Sequence, residues 1–239
     1  MMPWDWEPSV VIGCAALAIG YLALVRRRLS RAPYFLAGVL LLLLDLVSPI
    51  DTLADRYLFS AHIVQHFVLA LVIPPLLLLG TPAFELRVLG ELERAIGQPP
   101  VSWLLGVGTM LVWHIPALFN AALASGGLHI VQHLSFLVTG TIFWWPILAP
   151  VENRRLPGLG AVAYLFSACV CCSLLGAFLT FAAVGLYPAY LNPPEHLWGL
   201  DPKSDQQLGG MLMWVPGCFV YLAGILSVVR RWYSEEITA

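Results

Sequence analysis

The chain has 239 residues, of which 59% are hydrophobic and 11% charged, with a mean hydropathy of +0.82. A soluble globular domain carries about 25% charged residues, so a water-soluble fold is excluded. The net charge of −2 and the scattered Lys and Arg also exclude a nucleic-acid surface.

Taken in chain order, the opening MMPWDWEPS carries Asp5 and Glu7 where a signal peptide has positive charge. No cleavable leader is therefore expected, and the first apolar run stays as a span. A helix at 1.5 Å per residue crosses a hydrocarbon core of about 30 Å in about 20 residues. Apolar runs of that length predict seven spans, at residues 9–25, 33–50, 61–80, 101–119, 129–149, 159–184 and 208–229. The expected architecture is an all-α integral membrane protein, a seven-span helical bundle forming a single transmembrane domain over residues 1–239. Between spans three and four, residues 86–96, with Glu85, Glu91 and Glu93 alternating with Arg87 and Arg94, read as a short amphipathic surface helix.

Direction follows from the 12 Lys and Arg. With the N-terminus outside, cytoplasmic segments hold ten of them: Arg26, Arg27, Arg28, Arg31, Arg87, Arg94, Arg154, Arg155, Arg230 and Arg231. Outer segments hold two, Arg56 and Lys203. The positive-inside rule then predicts the N-terminus outside and the C-terminus cytoplasmic.

That direction places His62 and His66 in the first turns of span three and His129 and His133 in the first turns of span five. His114 falls near the outer end of span four and His196 in the last outer loop. All six His sit toward one side. The string HIVQH occurs at 62–66 and again at 129–133. Positions i and i+4 share a helix face, so each copy presents two imidazoles in one direction. Spans three and five run the same way, so the four rings can converge. Imidazole suits Cu, Zn, Fe and Ni, and ionisable groups inside spans mark functional sites by default. His114, next to Pro116, is a fifth ligand or a partner to one. His196, in a polar loop, reads as an interfacial residue.

Secondary candidates lie at the same level. Met211 and Met213 open span seven, but two positions apart on a helix they point about 200° from each other, so at most one faces the site. Asp45 and Asp51 are placed to orient a His or to meet an incoming cation, whereas Asp55, Asp201 and Asp205 read as solvated loop residues. Cys169, Cys171, Cys172 and Cys218 fall near mid-membrane and read as small buried apolar residues. With five Cys in all and none in an outer loop, a structural disulfide is not expected.

The pattern also limits the chemistry. In HxxxH proteases a Glu follows the first His as general base; here Ile63, Val64 and Gln65 fill the gap, and no protease is expected. Membrane desaturases need further HxxHH boxes on the cytoplasmic side, which are absent. Two haems do not fit a spacing of four residues, while one bis-His haem, with one ligand from each helix, stays open.

The stretches HIVQHFVLALVIPPLLLLGTP (62–82), WHIPALFNAAL (113–123), HIVQHLSFLVTGTIFWWPIL (129–148) and DQQLGGMLMWVPG (205–217) resemble the CtaG-type cytochrome c oxidase assembly factors of bacteria. The resemblance implies an inner-membrane protein needed to make active, copper-containing oxidase. It places the family's histidine motifs on His62, His66, His114, His129 and His133, and its other blocks on residues 205–210 and 214–217. The Cys169–Cys172 cluster is not part of that pattern.

The resulting expectation is a non-enzymatic metallochaperone with a copper site toward the extracytoplasmic side. It would supply copper to the oxidase or stabilise it there, with the oxidase subunits, the bilayer and a periplasmic copper donor as partners. The alternatives are a haem b protein in electron transfer or haem handling, and a metal-free assembly scaffold. For the topology, single Cys probes at Ser60, Ala124 and Glu195 in a chain lacking native Cys should react with an impermeant reagent from outside, and a probe at Asn153 should not. Labelling of Asn153 from outside would overturn the orientation.

Overall fold

The computed structural model describes residues 4–25, 29–82 and 97–238, with side chains through 234. Arg26–Arg28 and the amphipathic stretch expected at 86–96 lie outside the described residues. All regular structure among the described residues is helical: α1 (Pro8–Val25), α2 (Ala32–Val47), α3 (Pro49–Arg56), α4 (Phe59–Phe67), α5 (Ile73–Gly80), α6 (Pro99–Trp113), α7 (Pro116–Ala124), α8 (Gly126–Leu148), α9 (Gly158–Phe181) and α10 (Pro202–Thr238). Proline occupies the first turn of α2, α3, α6 and α7, where a missing N–H breaks no bond.

Six described helical stretches are long and apolar enough to cross a membrane, or seven with α6 and α7 counted as one bent span. Leu104, Phe166, Leu174, Phe219 and Leu226 stand exposed on the outside of the bundle. An apolar exterior of this kind suits contact with lipid.

Three breaks depart from a plain hydropathy reading, and proline causes each. The second span stops at Val47, because Ser48 precedes Pro49 and is held extended at φ −79°, ψ 168°. The fourth is split, because Ile115 before Pro116 is extended, and α6 and α7 meet at 74°. In the third, Pro74 and Pro75 have no N–H to offer the carbonyls of Ala70 and Leu71. There the ladder widens into one π turn, Val68–Val72, between α4 and α5.

The span built from α4, the π turn and α5 is the central post of the bundle, packed against α2, α8 and α10. Its contact with α8 is close because Gly140 faces the π turn: a Cβ there would stand 2.5 Å from the Ala70 carbonyl oxygen. On the far side, Gly176 of α9 and Gly210 of α10 let those two backbones meet, a Cβ on Gly210 coming within 2.7 Å of the Gly176 oxygen.

The two ends of the bundle differ in charge. At one end Asp5 N–H donates to the Val47 carbonyl (3.1 Å), so the start of α1 lies beside α3. At the other, Arg155 Nε donates to the Ala149 carbonyl (2.7 Å) and Arg231 to that of Ile147 (3.4 Å), covering the last carbonyls of α8. Ser60 is buried, so Ala124 and Glu195, both exposed, are the informative outer labelling positions.

Gly140→Val is expected to lower stability in detergent by about 1–3 kcal/mol, since its side chain must push the central post away from α8. Gly108→Ala, with nothing within 4 Å of its added Cβ, should change it by less than about 0.5 kcal/mol. Thermal unfolding followed by size exclusion separates the two; equal midpoints for Gly140→Val and the native chain would refute the close approach.

Candidate metal centre

The Gly140 contact draws the N-terminal turns of α4 and α8 together, and with them both HIVQH segments. Ligand atoms of His62, His66, His129 and His133 all lie within 4.8 Å of one another. Ring centroids are 4.2 Å apart for His62–His66, 4.1 Å for His129–His133, and 5.5 Å for both His62–His129 and His66–His133. Two donors on opposite sides of an ion with metal–nitrogen bonds of 2.0–2.1 Å are at most about 4.2 Å apart, so small ring rotations close the set.

Burial makes the arrangement chemically unusual. His62 is 0% exposed, His66 3%, His114 6% and His133 9%. Yet Nε2 of His62, His114, His129 and His133, and both nitrogens of His66, have no hydrogen-bond partner. A buried polar atom left unpaired costs about 1–3 kcal/mol. Each neutral imidazole offers one lone pair, so at most five of these six atoms could meet a cation, the sixth being the N–H of His66.

Other side chains set which nitrogen is free. Tyr190 Oη donates to the Ala54 carbonyl (2.6 Å), so at 3.0 Å it accepts from His62 Nδ1–H and leaves Nε2 as the bare donor. His114 Nδ1 donates to the Met110 carbonyl (2.7 Å), again freeing Nε2. Pro116 has no N–H for the Val112 carbonyl, which accepts from Ile115 N–H (3.1 Å) at the kink. His114 stands beside the four, its ring 6.3 Å from that of His66. Phe119 lies 4.8 Å from His62 and Phe136 4.4 Å from His66, walling the cluster from lipid.

On the opposite flank, α1, α2, α3 and α8 enclose an open groove of about 660 Å³ that reaches His129 and His133. Asp5, Glu7, Asp51 and Asp55 line it. Burial pushes the Asp51 and Asp55 carboxyls up to about 6; Gln65, donating to Asp51 at 2.7 Å, and the Arg56 charge near Asp55 oppose the shift. Asp55 Oδ1 is 3.6 Å from His129 Nε2. Met213 is buried below the cluster, in the cavity that also holds His66 and His114, whereas Met211 is 42% exposed. Asp45 is buried, and its carbonyl accepts from Gln65 (3.0 Å). His196 is exposed and away from the cluster.

Tyr190 and Asp205 carry roles that local pattern did not reveal. Asp205 is 3% exposed and sits in the first turn of α10, not in a solvated loop. Its carboxylate accepts from the backbone N–H of Phe59 (2.7 Å) and Ser60 (3.1 Å), capping the start of α4 from another helix. Gln206 beside it donates to the Leu179 and Ala182 carbonyls at the end of α9 (both 3.2 Å).

Comparison with known proteins identifies the family. The family model of the cytochrome c oxidase caa3 assembly factors, Caa3_CtaG, matches residues 15–235. The chain belongs to that family. As a CtaG-family member it carries all five clustered His, Asp205 and Gln206 inside the matched region. Among curated proteins it is 24% identical to an uncharacterized protein of Mycobacterium leprae over 263 aligned residues, and 25% identical to uncharacterized proteins of Mycobacterium bovis and Mycobacterium tuberculosis. Each alignment covers 97% of this chain and 40% of the relative, so the chain spans well under half the length of these relatives. No solved structure matches it.

Asp205→Ala leaves two buried N–H groups without an acceptor at the start of the helix bearing His62 and His66. A loss of about 1–3 kcal/mol is expected, with Asp205→Asn losing less because one amide oxygen still accepts. Unfolding of both variants in one detergent checks the order; an unchanged midpoint for Asp205→Ala would show that the cap is not structural.

Proposed function

We propose that this protein binds copper through His62, His66, His129 and His133, with His114 beside them, and supplies that copper to, or stabilises it in, cytochrome c oxidase during assembly. The convergence of buried imidazoles with unpartnered nitrogens carries the reading. Family membership supports the choice of copper, since a four-imidazole set alone also suits zinc. An ion fits between the four rings better than haem does: their centroids are 4.1–6.3 Å apart, so a macrocycle set between any two of them would run into the others.

The side of the membrane follows from charge. The start of α1 and the His cluster share one end of the bundle, and the Arg155 and Arg231 contacts lie at the other. Under the positive-inside rule the cluster is extracytoplasmic, within reach of a periplasmic copper donor and of the oxidase's outer face. The acidic groove is the approach for a cation, because Asp5, Glu7, Asp51 and Asp55 line the path to His129 and His133. No carboxylate stands between the two His of either HIVQH to act as general base, which favours carriage of the metal over catalysis.

The test joins metal content to assembly. His66→Ala with His133→Ala should lower copper affinity of the purified protein by at least about 100-fold, while His196→Ala leaves it unchanged. A strain lacking the gene, like one carrying only that double variant, should still make oxidase polypeptides and haem but lose copper-dependent activity, and excess copper should recover part of it by mass action. Full copper retention by the double variant would overturn the site. Loss of the subunits at every copper level would establish a scaffold instead.

A further inference from the structure

Below the four-His cluster lies a second, smaller cavity of about 50 Å³. That is room for one to a few water-sized bodies. His66, Met110, His114, Cys172, Met213 and Tyr221 are among the groups that line it. Cys172 Sγ is 3.2 Å from Met110 Sδ and 3.0 Å from Tyr221 Oη, and Cys172 is buried. Met110 and His114 are one turn apart on α6, and the kink fixes them to each other through the His114 Nδ1–Met110 carbonyl bond. His114 Nε2 stays buried without a partner. Of the five clustered His, His66 alone has both ring nitrogens buried and unpartnered, and it borders both this cavity and the four-His set.

We propose that this cavity is a second metal site, selective for a soft monovalent cation of the Cu(I) class, with Met110 and Cys172 as sulfur donors and His114 or His66 as the nitrogen donor. It shares His66 with the site proposed above but rests on separate observations: the sulfur pair, the cavity and the His114 nitrogen. The donor chemistry makes the selection, since thioether and thiolate favour Cu(I), while four imidazoles do not discriminate as strongly. Charge works the same way. Binding forms a metal–sulfur bond and releases the Cys172 thiol proton to water, with no electron transferred. The thiolate and a monovalent ion then form a neutral pair, which suits a low-dielectric interior; a divalent ion would leave one uncompensated charge. Cys172 thereby differs from Cys169 and Cys218, whose sulfurs lie 3.5 Å apart and do not line this cavity.

The test uses the full chain in detergent under anaerobic conditions, loaded with Cu(I) at increasing equivalents, with Co(II) as a separate probe of the imidazole set. X-ray absorption is recorded for the native chain and for one retaining Cys172 as its single thiol (Cys14, Cys169, Cys171 and Cys218→Ala). Both are expected to show sulfur neighbours around copper. Met110→Leu with Cys172→Ala should remove most of that sulfur shell and lower Cu(I) from about two per chain to about one, leaving the Co(II) spectrum intact. Sulfur scattering that persists while Co(II) fails to bind would support this site and overturn the four-His reading alone. Nitrogen-only coordination in the native chain, or a sulfur shell unchanged in the Met110→Leu, Cys172→Ala chain, would overturn the second site.

Discussion

A backbone crossing lipid has no water to satisfy its N–H and C=O groups, so each interruption of a helix needs a partner from the protein itself. This chain interrupts its helices around the histidine cluster, and a named side chain repairs each of several breaks. Asp205 takes the first N–H groups of α4. Gln206 takes carbonyls at the end of α9. His114 takes the Met110 carbonyl at the α6–α7 kink. Gln65 takes that of Asp45, and Tyr190 that of Ala54. The polar atoms that mend the fold thereby also surround the site and position its ligands.

The same economy explains why the histidines remain open. Nδ1 of His62 and of His114 is occupied by structural bonds, which removes the wrong tautomer and leaves Nε2 for an ion. Packing then limits rearrangement: Phe119, Phe136 and the close Gly140–Ala70 contact support the two HIVQH faces in the ion-free chain. A preset site of this kind incurs its folding penalty when empty, and the proposed ion would relieve it.

Much of this was legible in the sequence because it is local. Spans are set by runs of apolar residues, and an i, i+4 histidine pair shares a face in any α-helix, so the convergence of His62, His66, His129 and His133 followed once spans three and five were adjacent. What escaped depends on partners far along the chain. Asp205 reads as a loop aspartate until the N–H groups it accepts from are seen to belong to Phe59 and Ser60, and Tyr190 sits in a Pro-rich loop with no periodicity to place it under His62. Pro116 and the Pro74–Pro75 pair announce helix trouble locally, but neither the 74° bend nor the π turn follows from residue type alone.

The repeated pentapeptide ends in unlike surroundings. His62 is sealed by Tyr190 and Phe119, whereas His129 keeps some solvent contact in the groove and has the Asp55 carboxylate 3.6 Å away. The same pentapeptide thus yields one imidazole closed off inside the bundle and one open to an acidic groove. Under the proposed copper role, His129 would be a ligand through which an ion could be passed on one bond at a time, rather than by losing all four ligands at once.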